Sequence, residues 1–288
     1  MKIEVKQLTK RYKEKVALNQ VSFVMDEPKI YGLLGRNGAG KTTFMQLLSG
    51  LILPNEGEIL IDGETPFENR KLTEAICFIR EGQNFKKDLS IKNVLVISSL
   101  FYPNWDHDLA ERLLKEFQLT KGMRVKTLSK GMESALGIIV GLASKAPITM
   151  FDEPYIGLDA AARSRFYELL VEEYEREKRT IIFSTHLIDE VSSLFEEVLI
   201  FEDGSVKVQE ETDSLRERCY SVTGPSAEVE RYVSGKQVLD QKSLAGMSTA
   251  IVLDDHLDAQ VEAPLVKDGV SIQELMIHLT SRKEEGVK

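Results

Sequence analysis

Three observations predict an α/β fold built on a parallel sheet. A glycine-rich turn, Gly35-Arg36-Asn37-Gly38-Ala39-Gly40-Lys41-Thr42-Thr43, stands between an apolar strand at residues 29–34 and a helix running through residues 44–48. A second apolar strand, residues 148–151, ends in Asp152-Glu153. A third, residues 180–184, ends in Thr185-His186. Parallel sheets place their functional groups at the C-terminal edge of the strands, and all three motifs sit there.

The glycine-rich turn fits the template G-x-x-x-x-G-K-[ST] without a gap, the spacing of a phosphate-binding P-loop. Phosphate oxygens must be met by backbone N–H groups at close range. Gly35, Gly38 and Gly40 supply bare, flexible backbone for that approach, and the helix start beyond them favours anionic charge. Lys41 is placed to reach the β and γ phosphates, Thr42 to ligate Mg²⁺ and Thr43 to back the α phosphate. Asp152-Glu153 reads as the second half of a P-loop nucleotide hydrolase. The Asp supports Mg²⁺, and the Glu orients or deprotonates the attacking water. Both carboxylates are expected to face the P-loop from a neighbouring strand.

Composition bounds the rest. A length of 288 residues gives a soft prior of about two domains. With 42% hydrophobic and 29% charged residues the chain is globular, and a net charge of −9 leaves no basic footprint for a nucleic-acid partner. Two cysteines, Cys77 and Cys219, make no disulfide framework, so a reducing compartment is expected. The first residues alternate charged and apolar, as a strand does and a signal peptide does not. The longest apolar-leaning stretch, residues 134–143, is too short to span a bilayer. Action at a membrane therefore requires another chain for the span.

In order, residues 1–27 read as a small antiparallel sheet with strands at 3–5 and 20–24. Tyr12 between them has two readings: an aromatic that stacks on a nucleobase, or a half-buried loop tyrosine, the default when taken alone. A turn at 54–57, a strand at 58–61, a hairpin turn at 62–64 and a buried strand at 75–79 follow. From 90 to 146 the pattern is helical, with Leu109, Leu113, Leu114 and Phe117 on one face and Ser129 as an N-cap. A helix at 161–177 ends in a charge run, 172–179, read as a solvated face. A helix at 187–195 and a hairpin at 198–206 close the core. From about residue 212 the chain reads as a small α+β region, with strands at 219–223 and 249–253 and helices at 227–233 and 272–279.

In this order the motifs resemble those of the ATP-binding subunit of ATP-binding cassette (ABC) transporters over roughly residues 1–210. The likeness is greatest to export-type or uncharacterised bacterial systems with separate permeases. It implies a P-loop NTPase cassette at 1–211, made of a RecA-like core, an antiparallel β-subdomain and an inserted helical subdomain at about 86–146. An α+β appendix at 212–288 completes the chain. The resemblance implies that Tyr12 stacks on adenine, reversing the default above. Gly35, Asn37, Gly38, Ala39, Gly40, Lys41, Thr42 and Thr43 would hold the triphosphate. Thr42, Asp152 and Glu81 would attend Mg²⁺. Glu153 would be the catalytic base, with Lys41 and His186 at the γ phosphate. Asp159 would communicate across a dimer, and the signature residues Ser129 and Gly131 would bind the γ phosphate of ATP held by the opposite subunit.

Two motifs depart from the family pattern. Its signature is usually Leu-Ser-Gly-Gly-Gln; here it is Leu128-Ser129-Lys130-Gly131-Met132. Its Q-loop glutamine falls on Glu81 without gaps, or on Gln83 if the loop shifts by two residues. The implied cofactors are ATP and Mg²⁺, and the implied partners an integral membrane permease and a second cassette, identical or different. The implied place is cytoplasmic, peripheral on the inner face of the cell membrane. Two other readings stay open: a soluble ABC protein without a permease, and a regulatory cassette that binds ATP without hydrolysing it.

Overall fold

The computed structural model describes residues 1–82, 84–254 and 261–280. The chain opens with β1 (Ile3–Tyr12) and β2 (Lys15–Met25), one long hairpin in place of two short strands. Pairing runs on because buried Leu8 and Leu18 continue the inward-facing set. Then come β3 (Ile30–Leu34), α1 (Lys41–Leu48), β4 (Glu56–Ile61), α2 (Arg70–Ala75) and β5 (Ile76–Ile79). The short helix α2 was not legible in the sequence; the Asn69 side chain caps it by accepting from Leu72 N–H. The inserted helices are α3 (Ile91–Phe101), α4 (His107–Glu116) and α5 (Lys130–Ala143). The core closes with β6 (Ile148–Asp152), α6 (Ala160–Arg176), β7 (Thr180–Ser184), α7 (Ile188–Val191), β8 (Glu197–Glu202) and β9 (Ser205–Glu211).

The main sheet has the order β5-β6-β7-β3-β8-β9, parallel except for β9. Every residue of β3, β6 and β7 is buried, as parallel strands covered on both faces require. This order corrects one expectation. The Asp152-Glu153 strand is not next to the P-loop strand; β7 lies between them and adds Ser184 to the site.

One face of the sheet carries α1 and the small sheet β2-β1-β4, packed through Phe44, Phe23 and Phe201. The other face carries α5 and α6, joined through Leu136, Ile139, Phe151 and Phe166. Each such buried side chain contributes about 1.5–3 kcal/mol relative to exposure. Helix α5 is buried along its length from Ala135 to Ala143, which explains its apolar composition. Among the described residues no helix is long and apolar enough to cross a membrane.

Two further expectations change. The helix expected over 187–195 is only the single turn α7. The chain past it is pulled onto the sheet: Glu196 N–H donates to Ile30 O, and the Glu196 carboxylate accepts from Ile30 N–H. The ring of Phe195 fills the space where Gly32 lacks a Cβ. The charge run at 172–179 is not a purely solvated face either. Glu173 is only 1% exposed, and its carboxylate gathers Arg112 from α4, Lys145 from the end of α5, and Arg176 at 2.7–2.8 Å. Arg179 is buried as well.

Beyond β9 the chain forms α8 (Thr212–Arg218), β10 (Cys219–Pro225), α9 (Ser226–Val233), β11 (Gln237–Leu244), β12 (Met247–Leu253), β13 (Val266–Gly269) and α10 (Ile272–Thr280). Its sheet, β11-β12-β10-β13, is wholly antiparallel. Leu275 of α10 and Leu215 of α8 join the same apolar cluster as Ile188 and Val191 of α7. The tail thus packs directly behind the loop that carries His186.

Candidate active site

The turn between β3 and α1 is shaped by its glycines. Gly35, Gly38 and Gly40 all have positive φ (142°, 86° and 113°), and a Cβ at Gly35 would collide with the Phe201 carbonyl. Ala39 is buried and ties the turn to the β8–β9 hairpin by accepting from Gly204 N–H. Asn37 is exposed at the turn's rim. Lys41 is 7% exposed, and its ammonium donates to Gly35 O at 2.6 Å and Arg36 O at 3.3 Å. Burial lowers its pKa, and the nearby Glu153 and Asp152 carboxylates oppose that shift. Thr43 is half-buried one residue beyond Thr42.

Asp152, at the end of β6, is 5% exposed and accepts two hydroxyl hydrogen bonds. Thr42 donates to Oδ2 at 2.7 Å and Ser184 to Oδ1 at 2.6 Å. The backbone then turns sharply. Glu153 takes φ = 50°, a strained conformation for a side-chain-bearing residue and one held here by Glu153 N–H donating to Ser184 O. That turn sends the Glu153 carboxylate to His186, whose Nδ1 lies 2.7 Å from Oε2. Lys41, Thr42, Asp152, Glu153 and His186 therefore meet at one sheet edge.

Tyr155 also belongs here, although sequence reasoning missed it. Its hydroxyl donates to Glu153 Oε2 and lies 2.8 Å from Thr185 Oγ1 and 3.2 Å from His186 Nδ1. Burial, then the Glu153 carboxylate, push its pKa up. The only signal in the sequence was a phenol two residues after the glutamate.

Tyr12 ends β1 opposite Lys15, 44% exposed, and the Lys15 ammonium lies beside Gly38. The hairpin tip thus stands at the rim of the P-loop. A groove there is lined by Lys15, Arg36, Asn37, Asp203 and, from the tail, Thr280.

The signature residues form a separate group. Ser129 caps α5 by accepting from Met132 N–H at 3.2 Å. Gly131 lies so close to the Gly157 carbonyl that a Cβ would overlap it. Asp159, two residues on, caps α6 by accepting from Ala162 N–H. Among the described residues no hydrogen bond or ion pair joins Ser129 or Gly131 to the P-loop. Glu81 meets Lys130 at 3.9 Å, so one departing residue of each motif faces one of the other. Gln83 lies outside the described residues.

The oxygen donors fit Mg²⁺. Among the described residues no three His, Cys, Asp or Glu side chains form a closed cage. A hydroxyl and one carboxylate beside a phosphate cradle suit a cation that keeps waters and takes phosphate oxygens as ligands.

A family model described as ABC transporter matches residues 18–156. The chain is 32% identical over 208 residues to the Nod factor export ATP-binding protein I of Burkholderia lata, spanning 70% of this chain and 68% of that one. It is 29% identical over 295 aligned residues to the uncharacterized ABC transporter ATP-binding protein YdbJ of Bacillus subtilis, spanning 99% and 94% of the two. Among solved structures, the ATP-binding cassette MJ0796, a dimer in a post-hydrolysis state bound to ADP and Pi, superposes with a TM-score of 0.65. It is 25% identical, over 73% of this chain and 98% of that one.

Proposed function

The chain belongs to the family of ABC transporter ATP-binding proteins, and from that premise we propose that it hydrolyses ATP between two cassettes to drive export through a separate membrane permease. The observation that carries this reading is the meeting of Lys41, Thr42, Asp152, Glu153 and His186 at one edge of the sheet. The export sense is supported by the Nod factor export relative, and the two-cassette arrangement by the dimeric neighbour.

Phosphoryl transfer needs positioning and charge neutralisation more than covalent chemistry. Lys41 exchanges the Gly35 and Arg36 carbonyls for the β and γ phosphates. Thr42 and Asp152 would hold Mg²⁺, which when bound would neutralise phosphate charge, and Glu81 would join them only on leaving Lys130. Glu153 orients the attacking water and takes its proton. His186 moves from Glu153 to the γ phosphate. Tyr12 stacks on adenine. Ser129 and Gly131, free of the P-loop of their own chain, complete the partner's site, while Asp159 lies at the junction.

The permease also has a candidate seat. A cleft between the sheet and the insert is lined by Leu51, Phe78, Arg80, Ile97 and Phe101, and Leu100 stands nearby at 83% exposure. Exposed apolar residues in such a cluster mark an interaction surface. The protein then works at the inner face of the cell membrane.

Lys41→Ala is expected to weaken ATP binding at least about tenfold, since a charge-assisted phosphate contact is lost. Titration with a fluorescent ATP analogue reads this directly, and unchanged affinity would sink the reading. Gly131→Ala drives a methyl into the Gly157 carbonyl and shifts the signature turn. Steady-state phosphate release should fall roughly 100-fold, the cost of a displacement on the order of 1 Å, with ATP binding to the monomer retained.

A further inference from the structure

We propose that Tyr155 is a positioning residue for hydrolysis: its hydroxyl holds one oxygen of Glu153, leaving the other free for the attacking water, and keeps hold while His186 changes partner. This rests on the reading of Glu153 as the base given above.

Donor arithmetic supports the assignment. A phenol has one proton to give and an oxygen that accepts. The ionised Glu153 carboxylate only accepts, so the Tyr155 proton goes to Oε2. The His186 backbone N–H donates to the Tyr155 oxygen at 3.2 Å. Thr185 Oγ1 already accepts from Leu187 N–H at 2.9 Å, so its own proton is free for Tyr155 at 2.8 Å. One hydroxyl thus joins the loop after β6 to the loop after β7.

The two partners of Glu153 differ in freedom. Tyr155 is 3% exposed, and its ring stacks on Phe183 at 6.3 Å between centroids with 17° between planes. The side chain of His186 is 55% exposed, and among the described residues the one ring it meets is that of Tyr155, tilted by 58° at 5.7 Å between centroids. When His186 leaves for a phosphate, a carboxylate on a strained backbone loses one anchor. Tyr155 is the anchor that stays, and it keeps Glu153 from swinging out of line. An orientation lost at this point costs rate without costing nucleotide affinity.

The test compares steady-state ATPase kinetics of the full-length wild type, Tyr155→Phe, Glu153→Gln and the double variant. Phenylalanine keeps the ring and its stacking and removes only the oxygen. Tyr155→Phe is expected to lower kcat about tenfold or more, with KM for ATP within about twofold of wild type, as a hydrogen bond to a charged group acting through orientation predicts. ATP binding and the thermal midpoint should stay near wild type. In the Glu153→Gln background the tyrosine change should cost almost nothing more, since it acts through a carboxylate no longer present. A Tyr155→Phe chain with unchanged kcat overturns the proposal, as does one that loses ATP binding or thermal stability in step with rate. A wild type that does not hydrolyse ATP, or a fully active Glu153→Gln, overturns the functional reading and this proposal together. An inactive Glu153→Gln beside a fully active Tyr155→Phe overturns this proposal alone.

Discussion

Glu153→Gln is expected to lower ATP turnover by about 10²–10⁴-fold while ATP binding survives, and ATP-loaded dimers should accumulate. Affinity survives because the phosphate cradle is built from Lys41 and the glycine turn, not from Glu153. The amide keeps the size of the carboxylate but cannot take a proton from water. It also offers an N–H₂ group where Tyr155 and His186 now find an acceptor oxygen. Removing a negative charge beside the γ phosphate further favours the bound state. Phosphate release under saturating ATP measures the first effect, and light scattering with and without ATP the second. Turnover within tenfold of wild type would strip Glu153 of the role of base.

The largest stability effect is expected at Glu173. Its carboxylate, 1% exposed, is the common acceptor for Arg112, Lys145 and Arg176, and Lys145 is itself only 9% exposed. Removing one partner of a buried ionic cluster strands the others in low dielectric. Glu173→Ala should therefore cost about 3–5 kcal/mol. That corresponds to a fall of roughly 10 °C in thermal midpoint for a chain of this size. Glu173→Gln keeps the shape and some hydrogen bonding and should fall between the two. The exposed Arg70–Glu74 pair provides the control: Glu74→Ala should leave the midpoint where it is. Equal effects at the two sites would mean that the cluster does not hold the insert to the core.

These two sites also mark what could be read from sequence. The P-loop, Asp152-Glu153 and the Ser129 cap are local. Each is a run of adjacent residues whose chemistry dictates its spacing, and each stands where its motif indicated. Tyr155 and Ser184 were not legible, because their contacts join loops about 30 residues apart in the chain and depend on β7 lying between β6 and β3. Glu173 was hidden for a related reason. A charged run on a helix reads as solvated until one knows that α4 and the end of α5 bring cations onto it. Helix α7 was overestimated because the Glu196 bonds to Ile30 outweigh local helix propensity. In the tail, β11 and β13 are largely exposed and carry almost no apolar alternation, so nothing in their residues announced a strand.

The contact between Glu81 and Lys130 has a consequence for protein engineering. Both side chains are more than half exposed and 3.9 Å apart, so their attraction is weak and screened by salt. It cannot lock two loops together. What it does is zero the sum: an extra plus in one loop is answered by an extra minus in the other. Transplanting either residue by itself into a cassette of the common pattern imports a stray charge, so the two must travel as a set.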